Sequence, residues 1–509
     1  METRSLKFIA AACGAEIIGG AADVEVKAVG TDSRVAKAGD LFFAIKGEKF
    51  DGHDFVAEVA AKNVAAIVVE KKQVGRVTPC APVSATLAKA GRGLPALPCP
   101  LLAVKDVRAA LGKLAAAYRR GFDLPVIAVG GSNGKTTVKE LLASVLRQKF
   151  STLWSEASFN NDIGVPMTLL RLEQSHSAAV IEAGTNHPGE LAPLVKMIAP
   201  KFGVITSIGR EHLEFFGDVA GVAQEEGWLA ELLPADGKLF INGDSEWADK
   251  IAARTEAQVV RVGLGEKNDW RAKKIRLDKG GVTFQLEVRK NVLLAENFGA
   301  VEVPSSRPSP PVGEKVAEGR LRGFAGEWRV NLLGKHSAVN ALFAVAMGAE
   351  MGLTREEIQR GLAECPPAKM RLNFWEANGV RVLDDCYNAN ADSTVAALET
   401  LCGLPLQGRR VAVLGDMAEL GAHSAAAHAE VGRRAAELAV GQLFAVGKMA
   451  AVTAQAARDA GLMRVFEFAD VEAALGVVRS FVKPGDVVLL KASRAARLER
   501  IAEMLKAEK

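Results

Sequence analysis

The sequence has little cysteine, no long apolar run and no concentrated block of one charge. Its six cysteines are scattered over 509 residues without a CxxC pair, which argues against a disulfide framework or a zinc site. No apolar segment reaches the roughly 20 residues that a membrane-spanning helix needs. The net charge of +4 is small for this length, so nothing suggests a surface that follows a phosphate backbone. We expect reduced thiols, a cytoplasmic protein, no nucleic-acid partner and no membrane insertion. The apolar part of the N-terminus is short, and we expect no signal peptide.

The length predicts about three domains of roughly 100–200 residues each. Short apolar runs followed by turns and helical patterns recur along the chain, which favours α/β domains with mostly parallel sheets. We place the domain boundaries at 1–105, 106–366 and 367–509. Residues 282–288 alternate apolar and polar side chains, which predicts an antiparallel appendage with one solvated face. The segments at 75–100 and 304–313 are rich in turn-forming residues and are predicted to be irregular.

A glycine-rich turn lies between a predicted buried strand at 125–129 and a predicted helix. It reads Gly131-Ser132-Asn133-Gly134-Lys135-Thr136-Thr137. Glycines let a backbone approach an anion, and a helix N-terminus adds partial positive charge. Lys135 could reach the β- and γ-phosphates of a nucleotide, and the Thr136 hydroxyl could bind Mg²⁺. The spacing is shorter than the full Walker pattern, but the strand before it and the helix after it favour nucleotide binding over a merely tight connection.

This turn resembles the ATP loop of the Mur ligase superfamily, and further motifs follow in the order found in that family. They are Thr31-Asp32-Ser33-Arg34, Gly39-Asp40-Leu41-Phe42, Lys46 to Phe55, Asn160 to Pro166, the segments around Glu182 and His212, Gly334 to Asn340, Arg371, Asp384 to Asn390, Gly415 to Gly421, and Lys491 to Arg494. The resemblance spans nearly the whole chain. It implies an N-terminal UDP-sugar-binding α/β domain, a central P-loop ATPase domain with a mostly parallel sheet, and a C-terminal Rossmann-like domain.

The strings Tyr387–Asn390 and Asp416–Gly421 resemble those of ligases that add D-alanyl-D-alanine to a UDP-muramoyl tripeptide. The implied reaction uses ATP to form an acyl phosphate, which the amine of D-Ala-D-Ala then attacks, and a monomer is expected. Three alternatives stay open. The chain could be a sister ligase with another amine acceptor, such as a folate polyglutamate ligase. It could be a non-catalytic nucleotide-binding module, or a P-loop motor or transporter ATPase.

The resemblance also implies roles for individual residues. Catalysis is assigned to Lys135, Glu182, His212, Arg371 and Asp385. ATP binding is assigned to Gly131, Ser132, Asn133, Gly134, Lys135, Thr136, Thr137, Asn340, Arg371 and Asp385. Mg²⁺ is assigned to Thr136, Glu182, His212 and Glu226. Contacts with the UDP-sugar, the tripeptide or the dipeptide are assigned to Ser33, Arg34, Lys46, Asp51, His53, Asn161, Asn388, Asn390, Ser493 and Arg494.

One metal position departs from the family pattern. Many Mur ligases carry a carbamylated lysine just before a glycine in this region, whereas here Glu226 precedes Gly227 and no lysine lies between Lys201 and Lys238. Glu226 could supply a built-in carboxylate without CO₂, or the site could be impaired. A third interpretation is that Glu225 and Glu226 only form a solvated helix face.

Two lesser departures are Ala391, where the family often has proline, and Ala492, where it usually has glycine. An alanine at position 492 requires a negative φ there.

Overall fold

The computed structural model describes residues 1–19, 21–77, 99–289, 323–405 and 407–507. The predicted irregular segment at 304–313 and most of that at 75–100 lie outside these residues. The chain forms two compact units: unit 1 is Met1–Val126, Leu153–Ala183 and Pro193–Ala199, and unit 2 is Ile127–Thr152, Gly184–Ala192 and Pro200–Lys509. Within the described ranges, no helix has both the length and the apolar character needed to cross a membrane.

Unit 1 is built around a five-stranded sheet. The strands of the whole unit, five of which form this sheet, are β1 Arg4–Ser5, β2 Glu16–Ile18, β3 Glu25–Val26, β4 Ala28–Gly30, β5 Asp40–Phe43, β6 Ala66–Glu70, β7 Leu101–Val104 and β10 Ala178–Glu182. Its helices are α1 Leu6–Cys13, α2 Val56–Ala60, α3 Val74–Val77, α4 Val107–Arg119 and α6 Gly164–Leu169. The sheet order is β2-β7-β6-β5-β4, parallel except for β2. Phe42, Ile67 and Leu101 from three of these strands pack with Val56 of α2 in one apolar core. The strand β9 (Thr152–Trp154) and the helix α7 (Leu191–Ile198) each cross a sequence boundary between the units.

The first sheet of unit 2, here called the central sheet, carries the glycine-rich turn. Its strands are β8 Val126–Gly130, β11 Phe202–Ile205, β12 Lys238–Asn242, β13 Gln258–Gly263, β14 Trp270–Asp278, β15 Gly281–Val288 and β16 Gly326–Val330. They follow in the order β8-β11-β12-β13-β14-β15-β16, parallel up to β14 and antiparallel beyond it. Val282, Phe284 and Leu286 are buried while the residues between them are partly exposed, which confirms the predicted antiparallel appendage.

The helices of the central part include the one that follows the glycine-rich turn. They are α5 Lys135–Leu146, α8 Leu213–Phe216, α9 Val219–Glu226, α10 Trp228–Glu231, α11 Ala248–Ala252, α12 His336–Glu350 and α13 Arg355–Glu364. The start of α13 is fixed by a capping box, in which Thr354 and Glu357 bond each other's backbone N–H groups. Helix α5 packs against α12 and α13, and Ser144 Oγ donates to the Gly361 carbonyl at 2.7 Å.

The second sheet of unit 2, here called the C-terminal sheet, has six strands. They are β17 Asn373–Ala377, β18 Val380–Asp385, β19 Arg410–Gly415, β20 Gln442–Val446, β21 Val465–Phe468 and β22 Val487–Lys491. Its helices are α14 Ala391–Gly403, α15 Ser424–Glu437, α16 Ala450–Asp459, α17 Val471–Phe481 and α18 Glu499–Lys506. The order is β17-β18-β22-β19-β20-β21, and only the edge strand β17 is antiparallel. The carboxyl ends of parallel strands form one edge, where such sheets bind ligands.

Two helical glycines give a matched test of the packing in unit 2. A Cβ on Gly361 would lie 2.5 Å from Val145 Cα, whereas a Cβ on Gly476 in α17 would meet nothing within 4 Å. Gly476→Ala should therefore raise the free energy of unfolding by about 0.5–1 kcal/mol, through helix propensity alone. Gly361→Ala should lower the free energy of unfolding by about 1–3 kcal/mol, because the added methyl group overpacks the contact between α5 and α13. Thermal unfolding of both variants checks this, and an equal rise in both midpoints would contradict the described packing.

Candidate functional site

The glycine-rich turn is shaped by two glycines with left-handed backbone conformations. Gly131 has φ of 109° and Gly134 has φ of 91°. A Cβ on Gly131 would lie 2.6 Å from Thr206 Oγ1, so a larger residue cannot take this place without moving the neighbouring strand end. Gly134 occupies the N-cap of α5 and makes no side-chain cap, and the partial positive charge of a helix N-terminus favours an anion here.

The turn is also locked to the end of the neighbouring strand β11. Because β8 and β11 are parallel and Gly130 pairs with Ile205, the residues that follow each strand meet at the same edge. The Ser132 N–H donates to the Ser207 carbonyl at 2.8 Å, and the Asn133 N–H donates to Ser207 Oγ at 2.8 Å. Hydrogen bonds to the end of β11 therefore fix the shape of the glycine-rich turn Gly131–Thr137, here called the phosphate loop.

Lys135 lies among backbone carbonyls and a buried carboxylate. Its Nζ donates to the Gly131 carbonyl at 2.5 Å and lies 3.4 Å from Glu211 Oε2. Burial raises the pKa of Glu211, and the nearby charges of Lys135 and His212 oppose that rise. Glu211 was not assigned a role from the sequence, since a Glu that precedes a His carries no signal of burial.

Glu226 is fully buried beside the same loop. Its Oε2 accepts from the Gly131 N–H at 2.7 Å, whereas Oε1 is buried and has no hydrogen-bond partner among the described residues. Burial raises the pKa of this carboxyl group to about 7, against the lowering effect of Lys135. An uncompensated buried carboxylate oxygen is costly, so this position favours a proton or a bound cation.

The interpretation of Glu225 and Glu226 as a solvated helix face was wrong. Both side chains are buried at the end of α9, at 4% and 0% exposure. Glu225 accepts from the N–H groups of Gly189 at 2.9 Å and Leu191 at 2.8 Å. Both carboxylates therefore accept from backbone amides of different segments, two at Glu225 and one at Glu226, and only Glu226 keeps an oxygen without a partner within the described ranges.

His212 occupies a strained position next to these groups. It has φ of 50° at the N-cap of α8, and its Nδ1 lies 2.5 Å from Glu419 Oε2. This hydrogen bond lowers the pKa of Glu419. In the part of the chain that the structure describes, no three His, Cys, Asp or Glu side chains converge as a metal-ligand group.

A cavity of about 370 Å³ opens beside the phosphate loop and collects residues from both sheets of unit 2. Predicted ATP-binding residues in its lining are Asn133, Gly134, Thr137, Asn340, Arg371 and Asp385. Asp385 pairs with Lys491 at 2.7 Å, and the Arg371 guanidinium carbon lies 4.5 Å from the centre of the Tyr387 ring. The structure thus brings together segments that are more than 200 positions apart in the sequence.

Some residues of unit 1 that were predicted to contact a substrate are exposed, and others are buried. Arg34 and Lys46 are exposed, and Arg34 pairs with Asp32 at 2.6 Å. His53 is buried, with Nδ1 2.7 Å from Asp51 Oδ1 and Nε2 accepting from the Glu70 N–H at 3.1 Å. Both ring nitrogens of His53 are therefore used inside the protein, which gives this residue a structural role.

Three further residues of unit 1 with predicted roles in binding or catalysis form hydrogen bonds within that unit. Lys62 Nζ donates to the Ser33 carbonyl at 2.7 Å. Asn161 Oδ1 accepts from the Gly164 N–H at 2.9 Å at the start of α6. Glu182 ends β10 in a buried position, where Oε1 accepts from Asn160 Nδ2 at 2.9 Å. Because Glu182 is buried, it is not a solvated carboxylate at the end of a strand.

Four predicted residues lie at the carboxyl edge of the C-terminal sheet. The Asn388 carbonyl accepts from Lys491 Nζ at 2.8 Å. Asn390 caps α14 and also donates through Nδ2 to Asn133 Oδ1 at 3.0 Å. Ser493 is buried and accepts from the Ala418 N–H at 2.9 Å, whereas Arg494 is exposed.

The two alanine departures fit the backbone. Ala391 is the first residue of α14, a position that suits alanine and proline alike. Ala492 does not have a positive φ, so it satisfies the condition that an alanine there imposes.

A phosphate loop after the first parallel strand, a cavity beside it and a second parallel sheet that lines this cavity define a nucleotide-binding α/β protein. Comparison with protein-family models gives three matches. The Mur ligase middle domain matches residues 129–348, the Mur ligase glutamate ligase domain matches 370–494, and the Mur ligase family catalytic domain matches 25–119.

Individual relatives match over almost the whole chain. The UDP-N-acetylmuramoyl-tripeptide--D-alanyl-D-alanine ligase of Escherichia coli (strain K12) is 34% identical, over 95% of this chain and 94% of that protein. The crystal structure of MurF from Acinetobacter baumannii matches with a TM-score of 0.80 at 30% identity and covers 100% of both chains. MurF ligase from Thermotoga maritima in complex with ADP matches with a TM-score of 0.74 at 25% identity, over 94% of this chain and 96% of that one. The chain belongs to the Mur ligase family and is an ATP-dependent ligase.

The raised pKa of Glu226 predicts a pH-dependent effect on stability. A carboxyl group with a folded pKa of about 7 and an ordinary value of 4.5 stabilises the folded state below pH 4.5, and this stability is lost as the pH rises through 7. Glu226→Gln should therefore raise the free energy of unfolding at about pH 8 by roughly 3 kcal/mol at most and change it little at about pH 5.

Denaturant unfolding of the ligand-free protein at both pH values checks this prediction. Glu225→Gln is the matched control, because it weakens two charge-assisted hydrogen bonds and should destabilise at both pH values. An equal effect of Glu226→Gln at the two pH values would contradict the raised pKa.

Proposed function

We propose that the chain joins D-alanyl-D-alanine to a UDP-N-acetylmuramoyl tripeptide with ATP and forms the UDP-muramoyl pentapeptide. The observation that carries the proposal is the cavity in which the phosphate loop faces Asn340, Arg371 and Asp385. A relative of that name, 34% identical over 95% of this chain, supports the choice of acceptor. The product is a precursor of peptidoglycan, which links the chain to wall growth, cell shape and cell division.

The phosphate loop binds the triphosphate in the proposed complex. The N–H groups at the start of α5 donate to the phosphate oxygens, and Lys135 turns from the Gly131 carbonyl towards the β- and γ-phosphates. Asn340 lies on the adenine side. Arg371 and Asp385 reach the phosphates and the ribose from the C-terminal sheet.

The reaction then has two steps. An oxygen of the tripeptide carboxylate attacks the γ-phosphorus of ATP, and the bond to the bridging oxygen breaks to release ADP. The D-Ala-D-Ala amine attacks the acyl carbon, the amine loses its proton, and inorganic phosphate leaves. Positioning and charge neutralisation supply the catalysis, and a cavity closed by both sheets protects the acyl phosphate from water.

We propose Mg²⁺ as the metal ion of the site. The unpartnered Oε1 of Glu226 is an oxygen donor of the kind that Mg²⁺ prefers. Mg²⁺ is commonly held by one or two carboxylates together with substrate phosphates, which agrees with the lack of a protein-only ligand group among the described residues. Thr136 and His212 are further proposed ligands, and Glu182 is proposed from the resemblance alone. The ion would neutralise charge on the phosphates.

The remaining assignments concern the other substrates and the setting of the reaction. The exposed Arg34 and Lys46, with Ser33 and Asp51, are proposed to bind the UDP-sugar. Asn161, Asn388, Asn390, Ser493 and Arg494 are proposed to contact the peptide substrates or to hold the loops that do so. We propose a monomer that acts in the cytoplasm, where ATP is available and thiols such as the five free cysteines of the described residues stay reduced.

Phosphate release with Mg-ATP, UDP-muramoyl tripeptide and D-Ala-D-Ala, each omitted in turn, tests the proposal. We expect release only with all three substrates and a UDP-linked pentapeptide by mass spectrometry. Release with another amine acceptor in place of D-Ala-D-Ala would identify a sister ligase. Nucleotide binding with no release under any acceptor would identify a non-catalytic protein.

A second prediction concerns Glu226 in catalysis. If Glu226 replaces a carbamylated lysine, added bicarbonate should leave the rate unchanged. Glu226→Gln should lower kcat by at least about tenfold, on the scale of lost charge stabilisation at a phosphoryl-transfer site. Steady-state kinetics of Glu226→Gln and Glu225→Gln check this, with a smaller loss expected for Glu225. A wild-type rate in Glu226→Gln would remove Glu226 from the reaction.

A further inference from the structure

The loop that carries His212 forms ion pairs with two helices next to the C-terminal sheet. Arg210 donates through Nε to Asp392 Oδ1 at 2.9 Å and through Nη1 to Glu430 Oε2 at 2.6 Å. The Arg210 N–H also donates to Asp392 Oδ2 at 3.0 Å. Asp392 lies in α14 and Glu430 in α15, both next to the C-terminal sheet. Charge-assisted hydrogen bonds therefore fix a loop of the central sheet to the C-terminal sheet.

The contact between His212 and Glu419 selects one form of the imidazole ring. Nδ1 lies 2.5 Å from Glu419 Oε2, and an ionised carboxylate can only accept a hydrogen bond. In a neutral ring Nδ1 must therefore carry the proton, and the lone pair is then on Nε2. Nε2 lies 3.9 Å from Glu211 Oε2, and Glu211 lies 3.4 Å from Lys135 Nζ. In the neutral ring the lone pair is thus on the nitrogen that lies beside Glu211, the partner of Lys135.

Glu419 lies in the segment Asp416–Gly421, here called the docking loop. Glu419 has φ of 59°, a strained conformation that the surrounding contacts must maintain. Its carbonyl accepts from the Glu214 N–H at 3.1 Å, so the backbone of the docking loop binds the segment after His212. The buried His428 accepts from the Met417 N–H at 3.0 Å, and this hydrogen bond fixes the backbone of the docking loop.

We propose that Glu419 is a positioning residue for His212, which makes the orientation of a residue at the phosphate site depend on docking of the C-terminal sheet. Carboxylates that accept from the second nitrogen of a functional histidine fix its tautomer and ring orientation. The catalytic consequence rests on the proposed function, in which His212 acts at the site of phosphoryl transfer. The orientation of the ring does not depend on that function.

The ring can be observed without any substrate or metal. In protein labelled with ¹⁵N-histidine at about pH 8, an ordinary histidine is neutral and its two nitrogens report the tautomer by NMR. The His212 signals are assigned by their loss in His212→Gln. We expect a protonated Nδ1 in the wild type and in Glu419→Gln, whose amide oxygen can still accept. We expect a mixture of tautomers in Glu419→Ala.

Two further variants separate positioning from a general structural effect. In Glu419→Asn the asparagine tolerates the left-handed backbone, but its side chain is too short to reach His212. Its histidine spectrum should therefore show the mixture of tautomers that is expected for Glu419→Ala. This variant serves as the test if the alanine variant folds poorly. Glu430→Gln is the matched control, because it weakens the Arg210 contact and leaves the His212 partner in place. Its histidine spectrum should equal that of the wild type.

Ligation kinetics complete the test. Glu419→Ala and Glu419→Asn should lower kcat by about 10- to 100-fold, the range found for lost partners of functional histidines, with little change in the KM for ATP. Unchanged His212 signals in both variants, or the same tautomer mixture in Glu430→Gln, would overturn the proposal. Changed signals in a protein that ligates no substrate would leave the positioning role in place and refute the proposed function.

Discussion

Two carboxylates buried beside one lysine form the constraint on which the phosphate site depends. Glu211 and Glu226 both lie next to the loop that carries Lys135, and burial raises the pKa of each. Charges removed from water are costly unless they are paired or bind a cation. The site therefore gains most from a ligand that brings positive charge to the carboxylates and negative charge to the lysine and loop amides, as a metal-bound nucleotide does.

The two parallel sheets of unit 2 supply different parts of this site. The central sheet supplies the phosphate loop and His212 at the carboxyl ends of adjacent strands. The C-terminal sheet supplies Arg371 and Asp385 to the cavity, and Asn390 bonds Asn133 of the phosphate loop directly. In the proposed complex both sheets bind one nucleotide, which would couple the affinity for ATP to their docking.

The sequence predicted the features that depend on local pattern. The strand before the phosphate loop, the helix that starts at Lys135 and the alternation at 282–288 all follow from periodicity and turn chemistry. The strands Asn373–Ala377 and Val465–Phe468 were not predicted, because both lie at sheet edges and carry polar residues.

The environment of charged residues could not be predicted in the same way. A helix that ends in two consecutive glutamates looks like a solvated surface until the tertiary fold places Glu226 against the Gly131 amide. Glu419 is more than 200 positions from His212, and nothing local signals that they touch. The resemblance to a family identified the chemistry correctly at the level of the ligase class, but the partners of each charge required the structure.

The most direct test of this account is a crystal structure of the protein with Mg²⁺ and a non-hydrolysable ATP analogue. The account predicts that the phosphates accept hydrogen bonds from the N–H groups at the start of α5, that Lys135 leaves the Gly131 carbonyl, and that Glu226 Oε1 binds a metal ion directly or through one water molecule. A metal ion bound without Glu226, with this side chain still buried on the Gly131 amide alone, would contradict it.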